Sequence, residues 1–269
     1  VSETLTTDTF TVVLGTQPTG NVVFDVSSSD TGEASVSSST LTFTIGDWSS
    51  AQTITITGVN DNIDDGDQFS TITFSVNGST VDATYTALDN QTVNVTTTDN
   101  DTAGFTVSES GGSTSVSETG TTDTFEVVLN TEPTGNVVID LTSENTEEAT
   151  LSSSSLAFNT GNWNSAQTVT ITGMDDDEDA GNQTITITTA INATSTADSN
   201  YDSLADQTFT TAVVDNDTVG YVITESGGST SVTEGGSSDS ISVVLSSQPN
   251  TKVRITFTSA DTGEVTVSS

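Results

Sequence analysis

Of the residues that carry most enzyme chemistry, this chain of 269 residues has no cysteine and no histidine. Without cysteine there is no disulfide and no thiol nucleophile. Without histidine the usual general base and the usual transition-metal ligand are missing too, so the chain is not expected to be an enzyme. Basic residues are nearly absent: 2 Lys+Arg face 38 Asp+Glu, a formal net charge of -36. A field of that sign repels nucleic acid and anionic membrane surfaces as direct partners and attracts cations. The two basic residues, Lys252 and Arg254, lie together near the C-terminus, which excludes lysine-to-asparagine staples over most of the chain. No apolar run approaches the ~20 residues of a membrane span, so no direct membrane insertion is expected. At 31% hydrophobic and 6% aromatic, the composition borders on that of disordered chains.

The pattern of what is present argues for a fold. "TFTVVL" (9–14), "NVVFDV" (21–26), "QTITITG" (52–58), "STITFSV" (70–76) and "QTVNVTTT" (91–98) alternate apolar with hydroxyl-bearing residues. A period of two rich in β-branched residues marks half-buried strands, and no window carries a helical stripe. The class is all-β.

The chain also repeats itself. "VSETLTTDTFTVVLGTQPTGNVVFDV" (1–26) returns as "VSETGTTDTFEVVLNTEPTGNVVIDL" (116–141) and as "VTEGGSSDSISVVLSSQPNTKVRITF" (232–257), so the period is 115 and then 116 residues. The three prolines, Pro18, Pro133 and Pro249, occupy one repeat position. Solenoid repeats are much shorter, whereas one immunoglobulin-like β-sandwich takes roughly 100 residues. "DNDTAG" (99–104) and "DNDTVG" (215–220) recur as short acidic linkers, too short for neighbouring units to swing freely. The expected division is a unit at 1–101 lacking its first strand, a complete unit at 102–217, and the opening part of a third at 218–269.

Acids gather in loops. "TGMDDDEDAGNQ" (172–183) puts five in a row, Asp175 to Asp179, and "NDNIDDGDQF" (60–69) is its counterpart. Like charges at such density destabilise a fold unless cations sit among them. Calcium takes 6–8 oxygens with flexible geometry, and carboxylates from several loops supply them without nitrogen or sulfur. The competing reading is a merely solvated acidic surface; confinement of the acids to loops and linkers favours cations.

Three elements in order, "VSET"/"VTEG", the acidic loop and "DNDTAG"/"DNDTVG", resemble the Calx-beta domains. The Ser/Thr-rich strands and the "NW" phrase of 162–163 are similar to Calx-beta-like repeats strung together in very large bacterial surface proteins and adhesins. The resemblance implies Ca2+ held at one end of each sandwich. In the first unit its ligands would be Glu3, Asp61, Asp65, Asp99 and Asp101, with the Ile63 carbonyl. In the second they would be Glu118, Asp175, Asp176, Asp215 and Asp217, and Glu234 opens the corresponding set in the third. Two departures stand out. A further acidic ligand element of that family is not visible in "DTGEASVSSSTLTF" (30–43), where Glu33 is the nearest acid, and the last loop acid is Gln68 or Gln183. Aligned on Gly66 and Gly181, the first loop has Asp65 where the second has Ala180, so the first site is expected to hold its ion more tightly.

Trp48 and Trp163 correspond and read as plugs at the edge of the core; Tyr85 and Tyr201 correspond and read as loop anchors. The Asn-x-Ser/Thr triplets at Asn77 and Asn192 arise readily in so Thr/Ser-rich a chain. The whole points to a calcium-stabilised array in an extracellular or cell-surface stalk, filament or adhesin shaft, its partners being neighbouring repeats or copies of itself. The alternatives are a self-assembling filament subunit whose units pair between chains and, from another class, a module gripping surface glycans. The glycan-gripping module calls for exposed aromatics at non-equivalent positions, and Tyr221 is the one candidate in sequence.

Overall fold

The computed structural model describes residues 1–268. The first repeat forms β1 (Thr7–Val12), β2 (Val22–Ser28), β3 (Ala34–Val36), β4 (Thr40–Phe43), β5 (Gln52–Gly58), β6 (Gln68–Val76) and β7 (Gln91–Thr97). The second forms β8 (Phe105–Glu109), β9 (Thr114–Ser117), β10 (Thr122–Leu129), β11 (Val137–Ser143), β12 (Ala149–Leu151), β13 (Ser155–Phe158), β14 (Gln167–Gly173), β15 (Gln183–Ile191) and β16 (Gln207–Val214). β17 (Tyr221–Glu225) and β18 (Ile241–Leu245) follow as an antiparallel pair. The protein is all-β, and among the described residues no helix is long and apolar enough to cross a membrane.

Each of the first two repeats stacks two sheets. The first has β1-β5-β3 against β4-β2-β6-β7, and the second β12-β14-β10-β8 against β13-β11-β15-β16-β9. The second sandwich has two strands more. β8 pairs with β10, where β1 has no neighbour on that side among the described residues, and β9 pairs in parallel with β16, where the first repeat has a single bridge, from Ser2 to Thr98, among those residues.

The alternation in sequence becomes the two faces of each sheet. In β5, Ile54 and Ile56 are buried while Thr53 faces solvent; in β14, Val169 and Ile171 take the same inward positions. Two separate cores result. One joins Val22, Phe43, Ile54, Ile72 and Phe74; the other joins Phe125, Ile139, Phe158, Val169 and Ile187. Burying each such side chain stabilises the fold by about 1.5–3 kcal/mol, which is how a chain with so few apolar residues holds together.

Trp48 and Trp163 pack partly buried against these cores. The tyrosines close the sandwich ends: the Tyr85 hydroxyl donates to the Thr16 carbonyl at 2.6 Å, and that of Tyr201 to the Thr131 carbonyl at 2.8 Å. The two Asn-x-Ser/Thr asparagines have a structural job, since the Asn77 and Asn192 amides donate to Asp25 at 2.8 Å and Asp140 at 2.9 Å. In the third repeat Val253, Ile255 and Phe257 are exposed, while their counterparts Val137, Ile139 and Leu141 are buried in the second.

Candidate cation site

Backbone contacts bring the acids of the first repeat to one end of its sandwich. A Cβ on Gly58, the last residue of β5, would lie 2.2 Å from the Ser2 carbonyl oxygen, so only glycine lets the segment carrying Glu3 cross there. Gly173 and Ser117 repeat the arrangement at the same distance, 2.2 Å. The Glu3 N–H then donates to the Thr98 carbonyl at 3.1 Å, which leaves the side chain 1% exposed.

The acidic loop leaves β5 and turns back into β6 through Gly66, whose φ of 74° is left-handed; glycine adopts it without steric cost. The Gly66 N–H donates to Asp99 Oδ2 at 2.7 Å, the Ile63 N–H to Asp61 Oδ1 at 2.8 Å, and the Asp101 N–H to Asp99 Oδ1 at 2.7 Å.

Held this way, carboxylate oxygens of Glu3, Asp61 and Asp101 lie within 4.8 Å of one another, and a second group, Glu3, Glu33 and Asp65, shares Glu3. The second repeat assembles one such group, Glu118, Asp176 and Asp217, on the same criterion of 4.8 Å. No Lys, Arg or His occurs in either repeat to offset the charge. The consequence is a shared resistance to ionisation. Burial, together with the charges of Asp99, Asp61 and Glu33, pushes the Glu3 carboxyl from 4.5 up to about 7, against the pull of the Asn100 N–H. Glu33, Asp65 and Asp101 are raised as well, by burial first and by their acidic neighbours second. In the second repeat Glu118, Glu148 and Asp217 move the same way for the same reasons.

Glu33 is the residue that sequence reasoning left out. It is 8% exposed, and its Oε2 has no hydrogen-bond partner among the described residues. Its counterpart Glu148 also has a buried, unpartnered Oε2, and Asp217 an unpartnered Oδ2. A buried acceptor without a donor costs about 1–3 kcal/mol, more when charged, and these orphaned oxygens border the acid groups. A signal existed: Glu33, Glu148 and Glu264 occupy one repeat position in "TGEA", "TEEA" and "TGEV".

The other expected ligands have different places. Asp99 and Asp215 sit beside the groups and accept the N–H of Gly66 and Gly181. Asp175 accepts from the Asn216 amide at 2.9 Å, just as Asn60 accepts from the Asn100 amide at 3.2 Å. Asp175 and Asn60 thus share one acceptor position, charged in the second repeat and neutral in the first. The Ile63 carbonyl accepts the Asp65 N–H at 3.1 Å. Glu234 is exposed and joins no group of this kind among the described residues.

With only oxygen donors, most of them anionic, these groups suit a hard divalent cation such as Ca2+ and are poorly suited to copper or zinc. Glu3, Glu33, Asp61, Asp65 and Asp101 would hold it in the first repeat, and Glu118, Asp176 and Asp217 in the second.

No family model matches the chain, and no curated relative matches it. Among solved structures it is similar to domains 4 and 5 of the S-layer protein SbsC, with 19% identity and a TM-score of 0.34 over 76% of this chain and 73% of that one. A longer SbsC structure matches at 19% identity and a TM-score of 0.35; 93% of this chain is covered, and it spans 33% of that one. The CBD12 domains of CALX1.2 match at 13% identity and a TM-score of 0.30, over 71% of this chain and 75% of that one. Likenesses this distant carry no argument about function.

Proposed function

We propose that this chain is a structural segment of an extracellular or cell-surface stalk, filament or adhesin shaft, built from a β-sandwich at 1–101 lacking its first strand, a complete one at 102–217 and the opening part of a third at 218–269, and stabilised by Ca2+ at the end of each of the first two sandwiches. The reading rests on one observation above all: the buried, unpartnered Glu33 Oε2 beside a group of acids that already resist ionisation. A merely solvated surface would leave its carboxylates in water, where none is orphaned. A cation among them supplies what Glu33 lacks and turns repulsion into cross-linking. Its role is mechanical: it holds the end of one sandwich in order beside the linker to the next.

Calorimetric titration of the metal-free chain with calcium, paired with thermal melting, tests this. A ligand that binds only the folded state raises stability by about 2.7 kcal/mol at a concentration a hundred times its Kd. Saturable heat and a rise in Tm at millimolar calcium, absent with an equal ionic strength of sodium, are expected. No heat and no rise would leave the acids as a solvated surface.

A further inference from the structure

The acidic loop has a second side. Asp61 and Asp65 turn toward the acid groups of their own repeat, whereas Asn62 and Asp64, interleaved with them, meet the next one. The Ala103 N–H donates to Asp64 Oδ2 at 2.7 Å, the Glu132 N–H donates to the Asn62 carbonyl at 2.7 Å, and the Asn200 amide donates to the Asp64 carbonyl. One period later the pattern returns. The Val219 N–H donates to Asp179 Oδ2 at 2.7 Å, and the Gln248 N–H to the Asp177 carbonyl at 2.6 Å. Asp176 again faces the acid group of its own repeat.

We infer that Asp64 and Asp179 are the residues by which each repeat recognises and holds the following one, through a docking surface separate from the cation groups. The partner it fits is the opening end of another repeat: a backbone N–H shortly after the acidic linker, and a second one just before the repeat's proline. This gives the prolines a reason. Pro133 and Pro249 follow the donors Glu132 and Gln248 directly, and a residue before proline is confined to extended backbone, which fixes the direction of its N–H. The two donors common to both joints are backbone groups, so the side chains around them are free to differ, as Glu132 and Gln248 do. The acceptor that must stay is the carboxylate. Because these bonds use no carboxylate of the acid groups, the joint should be ordered whether or not those groups take calcium.

The test uses the full chain, whose lack of cysteine allows two unique labels, at Thr11→Cys and Thr208→Cys, both exposed positions. Pulsed electron-spin distance measurements are made in excess chelator and again in excess calcium. The parent should give a narrow distribution in both. Asp64→Ala should broaden it about twofold in both, as expected when a charge-assisted hydrogen bond at a joint is lost. Asp64→Asn, which keeps an acceptor oxygen, should restore most of the narrowness. Asp89→Ala, at an exposed acid outside the loop and the acid groups, should leave both distributions unchanged. Glu132→Pro removes the Glu132 donor without touching the acidic loop and should broaden the distribution even if the alanine variant proves too unstable to measure. An unchanged width in Asp64→Ala and Glu132→Pro, or a width that follows calcium and not Asp64, would overturn the inference. Failure of calcium to bind at all would leave the joint result intact.

Discussion

Replacing Glu3 by glutamine removes one charge from the shared corner of the two acid groups while keeping its size and its acceptor oxygen. Glu3 is 1% exposed, and its carboxyl is raised from 4.5 to about 7. The sign follows from linkage: a carboxyl that holds its proton more tightly folded than unfolded contributes stability fully below about pH 4.5 and loses it as pH rises through about 7. Above that, the folded state carries an ionised Glu3. At full weight the shift corresponds to about 3 kcal/mol, and screening by water at the sandwich end reduces it to about 1–2 kcal/mol. In chelator near pH 8, Glu3→Gln should therefore be more stable than the parent by about 1–2 kcal/mol, or about 4–10 °C in the melting of the first sandwich. Below about pH 5 the two should coincide. Calcium should invert the order, because the parent gains binding energy through a ligand that the variant has lost. Scanning calorimetry at the two pH values, with and without calcium, reads all of this. A variant less stable than its parent near pH 8 without metal would refute the reasoning, since it would mean that the charge on Glu3 is compensated within the protein.

Three further outcomes are expected. Thr211 is 0% exposed with an unpartnered Oγ1, so Thr211→Val, nearly the same in shape, should raise stability by about 1 kcal/mol, measured by urea unfolding. Gly173→Ala places a Cβ 2.2 Å from the Ser117 carbonyl oxygen; it should cost about 2 kcal/mol or more and weaken calcium binding in the second repeat while sparing the first. Ala180→Asp gives the second loop the acid that the first has in Asp65, and calorimetric titration should show its affinity rising about tenfold; an unchanged affinity would mean that this position is not a principal ligand.

How much of this was legible beforehand depended on how local each feature is. The strand "QTITITG" became β5 residue for residue, and "QTVNVTTT" became β7 without its last threonine, because a half-buried strand writes its two faces directly into the alternation. "TFTVVL" was less faithful: β1 starts at Thr7 and ends at Val12, with the Leu14 N–H drawn instead to the Trp48 carbonyl, a contact between distant segments. β3 and β9, of three and four residues, are too short to carry a period and exist because neighbouring strands offer them hydrogen bonds. In the site, the acids recurring near the linkers were readable as a set, but not which oxygens converge. Asp99, Asp175 and the Ile63 carbonyl, read as ligands from sequence, also accept hydrogen bonds that hold turns, a use the sequence did not show. Glu33 looked incidental because its relation to Glu3 spans two sheets.

The chain contains its own control for deciding which acids matter, since two copies of one fold were free to diverge. Loop acids at Asp65, Asp67, Asp175 and Asp177 are each matched in the other copy by Ala180, Asn182, Asn60 and Asn62. Nine acids stay. Three of them, Asp8 and Asp123, Asp25 and Asp140, Asp82 and Asp198, accept hydrogen bonds within their own sandwich; the other six are Glu3 and Glu118, Glu33 and Glu148, Asp61 and Asp176, Asp64 and Asp179, Asp99 and Asp215, Asp101 and Asp217. Their positions sort into three jobs. Glu3, Asp61 and Asp101 converge on one group, with Glu33 alongside; Asp99 ties the linker to the loop's glycine; Asp64 holds the next repeat. Had the acids served only to keep the surface solvated, any loop position would have done equally well, and the matched pairs would not have been those whose carboxylates are buried, converge or accept an N–H. The five consecutive acids of the second loop thus combine requirements of different kinds. Asp176 and Asp179 repeat what the first loop does, and Asp175, Asp177 and Glu178 are charges that this copy added around them.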